Sequence, residues 1–297
     1  MPPESRTSNL TTLLTASNLL IVAGKGGVGK TTVTAVLARA AADLGLRVLV
    51  VELDGKETLQ HLLPDLEVRH ISAASSLEEY LLDHGFRRIA ERLSASGVID
   101  VVGTAAPGID DLVVLGKIKQ LERSGTWDLI VLDGPAAGHA ITFLTSASGL
   151  LDAVGAGPVH DQARDVAAMM TDPDRCRVML VTLPEATPVN ELLETAEILR
   201  DRVGVALGPV VVDQFDAGPP LPDPDAVSFG RARAQVDDAR AAARFRRSRR
   251  AVQDTELARL DDDRIHVRAL PTVHLTPDDI VALAGELTFQ LTSEADR

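Results

Sequence analysis

The chain has 297 residues, a formal net charge of −13, a single cysteine and only 3% aromatic residues. Its length suffices for one large or two modest cores, and apolar and charged fractions of 45% and 25% are those of an ordinary globular protein. The acidic balance argues against non-specific binding of nucleic acid or anionic lipid by the whole surface, and Cys176 alone excludes an internal disulfide framework or a multi-cysteine zinc site.

The first residues, "MPPESRTSNLTTLLTASN", lack a basic start followed by an apolar core, so no signal peptide is expected and 1–17 reads as a flexible N-terminus. No apolar run approaches the ~20 residues of a membrane span. With one cysteine this suits a reducing cytoplasm, with any membrane served peripherally, from its inner, water side.

The β-branched run "NLLIVA" (18–23) predicts a first strand, and "TTVTAVLARAAADLG" after it predicts a helix stopped by Gly45. Further runs follow: "RVLVVEL" (47–53), "VIDVVGT" (98–104), "WDLIVLD" (127–133), "RVMLVTL" (177–183), "LGPVVVD" (207–213) and "IHVRALP" (265–271). Several are apolar on consecutive residues, as strands buried on both faces are. Helix patterns between them, such as "VNELLETAEILRDRVG" (189–204), predict an α/β fold with a doubly wound, mostly parallel sheet. Residues 18–297 then form a single domain with helical insertions at one end of the sheet, at about 55–97, 140–175 and 217–262. "DAGPPLPDPDA" (216–226) reads as a surface loop or hinge.

Between the first strand and helix lies "GKGGVGKTT", from Gly24 to Thr32. Gly24-Lys25-Gly26-Gly27-Val28-Gly29-Lys30-Thr31 satisfies G-x-x-x-x-G-K-[ST] in the strand–loop–helix setting that a phosphate cradle needs. Glycines let backbone N–H groups curl around phosphates, and the helix N-terminus adds partial positive charge. Lys30 is expected to reach the β- and γ-phosphates, and Thr31 to complete the coordination of Mg²⁺.

The narrower pattern K-G-G-x-G-K-[ST]-T resembles the deviant-Walker P-loop ATPases. These include chromosome-partitioning and division-site ATPases, nitrogenase iron protein, and the arsenite-pump and tail-anchored-protein-targeting ATPases. The resemblance implies a nucleotide-sandwich dimer in which Lys25 contacts the nucleotide of the facing subunit, much as an arginine finger does. "WDLIVLDGPAAGHAITFL" resembles the D-x-A-P-x-G-H second switch of the arsenite-pump and tail-anchored-targeting branch, with Asp133, Pro135, Gly138 and His139 in register. Asp133 is thereby expected to hold Mg²⁺ through water, and Gly134 and Gly138 to let the segment move when the γ-phosphate leaves. His139 is read as a switch residue or a helix cap. Asp54, at the carboxyl end of a strand, is placed to orient or deprotonate the attacking water, although "GKETLQ" after it departs from the branch pattern.

"LPEATPVNELLETAEIL" resembles the family's Pro-Glu turn and following helix. The base-contacting positions fall on Asp213, where relatives place an adenine-holding Asn, and on Pro271. An ionised Asp213 only accepts, whereas Asn also donates. Asp216 makes the stretch loosely similar to a guanine-reading loop, while the branch resemblance favours ATP. "APGIDDLVVLGKIKQ" (106–120) and "GPVHDQARDV" (157–166) resemble actinobacterial members labelled anion-transporting ATPases, some of which pair with a paralogue.

One cysteine cannot build the metalloid site of the arsenite pumps or the zinc clamp of the eukaryotic targeting factors. The 229–252 stretch concentrates arginine, read mainly as a solvated helix laced with Asp, with anionic membrane or DNA as alternatives. The expected activity is dimeric ATP hydrolysis, by a homodimer or a heterodimer, that switches helical insertions around a protein or membrane-associated partner. The alternatives are a DNA-acting partitioning ATPase and a weakly hydrolysing regulatory subunit.

Overall fold

The computed structural model describes residues 10–53, 57–83, 108–226, 233–261, 263–272 and 274–293. Asp54 and the expected strand at 98–104 lie outside these residues, as do Phe86, Ile89 and Leu93 of the 55–97 helix pattern.

Eight strands form one sheet, with all recorded pairings parallel. They are β1 (Leu19–Gly24), β2 (Val48–Glu52), β3 (Glu67–His70), β4 (Leu129–Ala136), β5 (Cys176–Thr182), β6 (Ala206–Leu207), β7 (Val210–Phe215) and β8 (Arg264–Arg268). The order is β3-β2-β4-β1-β5-β7-β8, with β6 beside β5. The β1 run explains its central place. Leu19, Ile21 and Ala23 enter the apolar cluster on one face, and Leu20 and Val22 enter the cluster on the other. A strand buried on both faces has no use for polar alternation, and each such Leu or Ile contributes about 1.5–3 kcal/mol.

One face is covered by α2 (Lys30–Asp43) and the C-terminal helix α10 (Pro277–Ser293), which pack together, beside the short α1 (Leu10–Thr15) and α3 (Thr58–Leu62). Gly45 ends α2 as expected: it takes φ +86°, and its N–H donates to the Ala42 carbonyl. The other face carries α5 (Ile109–Arg123), α6 (Ala137–Ala153), α7 (Pro158–Thr171) and α8 (Ala186–Ile198), with α4 (Ala73–Asp83) against α5. A π-helical turn, Leu199–Val203, follows α8.

β3 differs from the helical reading of 55–97. Its "EVRH" has no apolar run because it is an edge strand with only Val68 half-buried, so backbone pairing with β2 defines it. The arginine-rich stretch forms α9 (Arg233–Leu257), and its cations meet partners outside their own helix. Arg246 donates to both Asp216 carboxylate oxygens at 2.7 and 2.8 Å, Arg244 pairs with Asp225, and Arg249 meets Glu185 at 2.9 Å. The Pro/Asp stretch 216–226 is therefore strapped down by α9. For these arginines the acidic partners come from the loop and from Glu185, whereas the sequence pointed to the Asp residues within the stretch itself.

Candidate phosphate and base site

β1 delivers the glycine-lysine loop to the carboxyl edge of the sheet at the point where the order turns from β4 to β5 around β1, the position that open α/β sheets use for ligands. Gly27 and Gly29 adopt φ +83° and +91°, conformations that only glycine takes without strain. Gly24 is required for another reason: a Cβ there would meet the Val181 carbonyl at 2.5 Å. Gly26 is exposed, and Val28 is buried beneath the loop. Lys30 opens α2, and its Nζ donates to the Lys25 carbonyl at 3.2 Å, so the two lysines are joined across the loop.

Beneath the loop, Thr31 Oγ1 donates to Asp133 Oδ2 at 2.8 Å, and Thr34 Oγ1 reaches Oδ1 at 3.5 Å. Asp133 owes its place to the β1–β4 register, in which it sits opposite Val22. A hydroxyl and a carboxylate are hard oxygen donors. They suit Mg²⁺, which keeps several waters and takes other ligands from phosphates. Among the described residues no group of three or more His, Cys, Asp or Glu side chains is placed to hold a metal ion by itself.

β4 passes directly into α6, so Pro135 lies one residue before the end of the strand while Gly138 and His139 lie in the first turn of the helix. His139 is exposed and close enough to the half-buried Asp111 of α5 to act on its charge. Gly134 has a different need from the conformational freedom expected of it. A Cβ at this position would strike the Val22 carbonyl at 2.5 Å, so glycine permits the close approach of β4 to β1.

A second hollow of about 260 Å³ opens beside the loop, lined by Thr32, Asp213, Gln214, Arg268, Leu270 and Thr272, among others. Thr32 of the phosphate loop and the expected base contact Asp213 thus share one cavity, and Pro271, the other expected base contact, stands between two of its lining residues. Sequence reasoning missed Gln214 and Arg268. Gln214 has φ +55°, rare for a residue with a side chain, and such strain gathers at functional sites. Arg268 is held by Glu286 through bonds of 2.7–3.1 Å. Asp213 is 5% exposed, and burial pushes its carboxyl up to about 6. It also touches the phosphate loop: a Cβ on Gly29 would lie 1.9 Å from Asp213 Oδ2. Asp216, the other half of the guanine-like pattern, points elsewhere; it is clamped by Arg246 and lines a different cavity.

Lys25 has a partner that sequence reasoning also missed. Its ammonium meets Glu191 Oε1 of α8 at 2.5 Å. Glu191 lies six residues beyond the Pro184-Glu185 turn, whose Glu185 carbonyl accepts from the Val189 N–H to start the helix. The Pro-Glu turn is the one signal that could have pointed to it.

A parallel sheet with a glycine-lysine loop at its switch point, and a Thr–Asp pair beneath that loop, defines an α/β P-loop nucleotide-binding protein. Residues 17–156 match the family model described as anion-transporting ATPase, and the chain belongs to that family. It is 30% identical over 226 residues to ATPase BagA of Mycobacterium tuberculosis, covering 68% of this chain and 66% of that protein. It is 31% identical over 196 residues to an arsenical pump-driving ATPase of Escherichia coli, covering 63% of this chain and 33% of the relative. An arsenical pump-driving ATPase of Acidiphilium multivorum is 30% identical over 205 residues, again with 33% of its length covered. The chain therefore spans about two thirds of the mycobacterial relative and a third of the pump-driving ATPases.

Proposed function

We propose that the chain hydrolyses ATP with Mg²⁺ as part of a two-subunit unit closed around the nucleotide, and that the nucleotide state controls binding of a protein or membrane-associated partner. The observation that carries this reading is the two-lysine loop set directly above the Thr31–Asp133 pair. Lys30 and the loop N–H groups bind the β- and γ-phosphates. Thr31 and Asp133 would hold the metal, which would supply charge neutralisation at the transferring phosphoryl group. Asp54 orients the attacking water. Lys25, released from Glu191, reaches the γ-phosphate of the facing subunit and stabilises the charge that develops there. Pro135, Gly138 and His139 pass the change from the phosphate end to α6.

Thr32, Asp213 and Pro271 surround the base. ATP is the nucleotide favoured by the family, and Asp213 accepts from the adenine amino group. The second subunit is another copy or a paralogue. The α9 arginines, engaged by Asp216, Asp225 and Glu185, speak against a DNA-binding role. A regulatory, weakly hydrolysing role is favoured only by the "GKETLQ" stretch and Asp213. No helix among the described residues is long and apolar enough to cross a membrane, which fits a cytoplasmic protein that meets any membrane at its surface.

Phosphate release and light scattering, each with and without Mg²⁺-ATP, test the reading. The expected result is ATP-dependent pairing and turnover in the wild type, with Lys25→Ala binding ATP but not hydrolysing it. Wild-type turnover by Lys25→Ala would remove the trans-lysine role. Single chains at every nucleotide condition, with no companion subunit recovered, would remove the two-subunit unit.

A further inference from the structure

Away from the phosphate loop, α4, α5 and α7 enclose a cavity of about 450 Å³ that shares no lining residue with the base hollow. Its floor is a stripe of α5 in which Val113, Gly116, Lys117, Gln120 and Arg123 recur at three- and four-residue spacing, one face of a helix. Gly116 makes the third wall possible. A Cβ on it would lie 2.0 Å from Gln162 Nε2 of α7, so glycine lets the Gln162 carboxamide rest over α5.

The lining is basic in a chain whose net charge is −13. Lys119 is the least ordinary member, with a side chain only 9% exposed. Its ammonium donates to Gln162 Oε1 at 3.0 Å and to Asp165 Oδ2 at 3.3 Å. An ammonium carries three N–H donors, so one remains after these two bonds. Burial pulls its pKa below the ordinary lysine value, against the pull of Asp165. That is the signature of a cation with less compensating charge around it than its burial calls for.

Arg123 meets Asp165 only at 3.6 Å, which leaves most of its guanidinium donors to other groups. Asp165 is thus shared between Lys119 and Arg123, with Arg164 at 4.0 Å. Lys117 is paired with Glu79 and donates to Gln120 Oε1 at 3.1 Å. Gln162, accepting from Lys119 through Oε1, has its amide NH₂ left as a donor. Tyr80 adds an aromatic wall and a phenol whose pKa burial raises above its ordinary value. Among the described residues, three cations, two carboxamides and a phenol therefore line a hollow with one carboxylate, Glu79. Its volume lies in the range of small-molecule sites, and it has the expected mixture of an apolar body with a few convergent polar groups.

We infer that this α4–α5–α7 cavity is a second ligand site, which takes a small organic oxyanion, a carboxylate or a phosphate ester. The oxyanion sits between Lys119, Arg123 and Gln162, and the organic body lies against Tyr80 and Val113. The site is separate from the nucleotide site and does not depend on hydrolysis.

The test is calorimetric titration of the full chain with citrate and with phenyl phosphate. A saturating concentration of magnesium and a non-hydrolysable ATP analogue keeps the phosphate loop occupied. Saturable binding of either probe is expected, weakened about tenfold by removal of one charged contact in Arg123→Ala or of the amide in Gln162→Leu. The Arg123 side chain is 55% exposed, so its removal leaves the fold intact, which melting temperature and affinity for the ATP analogue will report. The inference fails if neither probe binds saturably, if both variants bind as the wild type does, or if the ATP analogue displaces the probe.

Discussion

Lys25 of the phosphate loop and Glu191 of α8 form an ion pair 2.5 Å long within one chain, and both side chains are 37% exposed. A pair that open to solvent is worth about 0–1 kcal/mol. It is strong enough to bias the resting position of Lys25 and weak enough for a bound triphosphate to outcompete. Glu191→Gln is therefore expected to leave the melting temperature nearly unchanged and to raise basal ATP turnover by up to about fivefold, the population shift that 1 kcal/mol allows. A steady-state phosphate-release assay reads this directly. Turnover that falls in Glu191→Gln would mean that Glu191 serves the active arrangement instead.

Thr31 and Asp133 share a hydrogen bond of 2.8 Å where the metal is expected. Thr31→Ala removes a hydroxyl and leaves the loop glycines in place. Magnesium dependence of nucleotide binding should therefore weaken, while metal-free binding stays within about twofold of wild type. Titrating a fluorescent ATP analogue with and without magnesium separates the two effects.

Asp213 and His266 titrate with opposite consequences for stability. Burial raises Asp213 from 3.8 to about 6, so the folded state binds the proton more tightly. Its contribution is fully present below pH 3.8 and is lost as the pH rises through 6, a loss on the order of 2–3 kcal/mol. Burial and the charge of Arg264 lower His266 from 6.5 to about 4, and the ring stacks on Phe215 with centroids 4.3 Å apart. Its contribution is present above pH 6.5 and is lost as the pH falls through 4. Between pH 4 and 6 the two slopes oppose each other. Asp213→Asn should thus raise the melting temperature at pH 8 and change it little at pH 3.5, whereas His266→Phe should flatten the loss on the acid side. Melting curves across this range decide both.

Gly29 is confined twice, by φ +91° and by Asp213 Oδ2 at 1.9 Å from where a Cβ would stand. Gly29→Ala should cost at least about 2 kcal/mol and abolish nucleotide binding, since strain and overpacking add. Adding Asp213→Gly should recover part of the stability by clearing the clash, though not the part due to φ. Denaturant unfolding of the single and double variants measures the coupling.

The central sheet and the phosphate loop were legible because both are local: unbroken apolar runs mark strands buried on both faces, and the loop glycines are needed by backbone conformation. The Thr31–Asp133 pair followed from the loop and the β4 run together. Glu191 was not legible, because it meets Lys25 across 166 positions of chain and nothing in "NELLET" marks one glutamate over the others. β3 was hidden because an edge strand needs no apolar run. The partners of the α9 arginines depended on how 216–226 folds back, and a charge count could see only that both signs were present. The oxyanion cavity depends on three helices meeting, which no single stretch announces.

The polar character of β3 bears on how copies can join. One margin of the sheet is formed by Glu67, Arg69 and His70, all exposed around a half-buried Val68. Charged side chains along an outermost ribbon, here the Glu67–Arg69 pair, discourage a neighbouring molecule from adding itself there, since both would have to shed water. Growth of the β-structure from molecule to molecule is thereby opposed at this border.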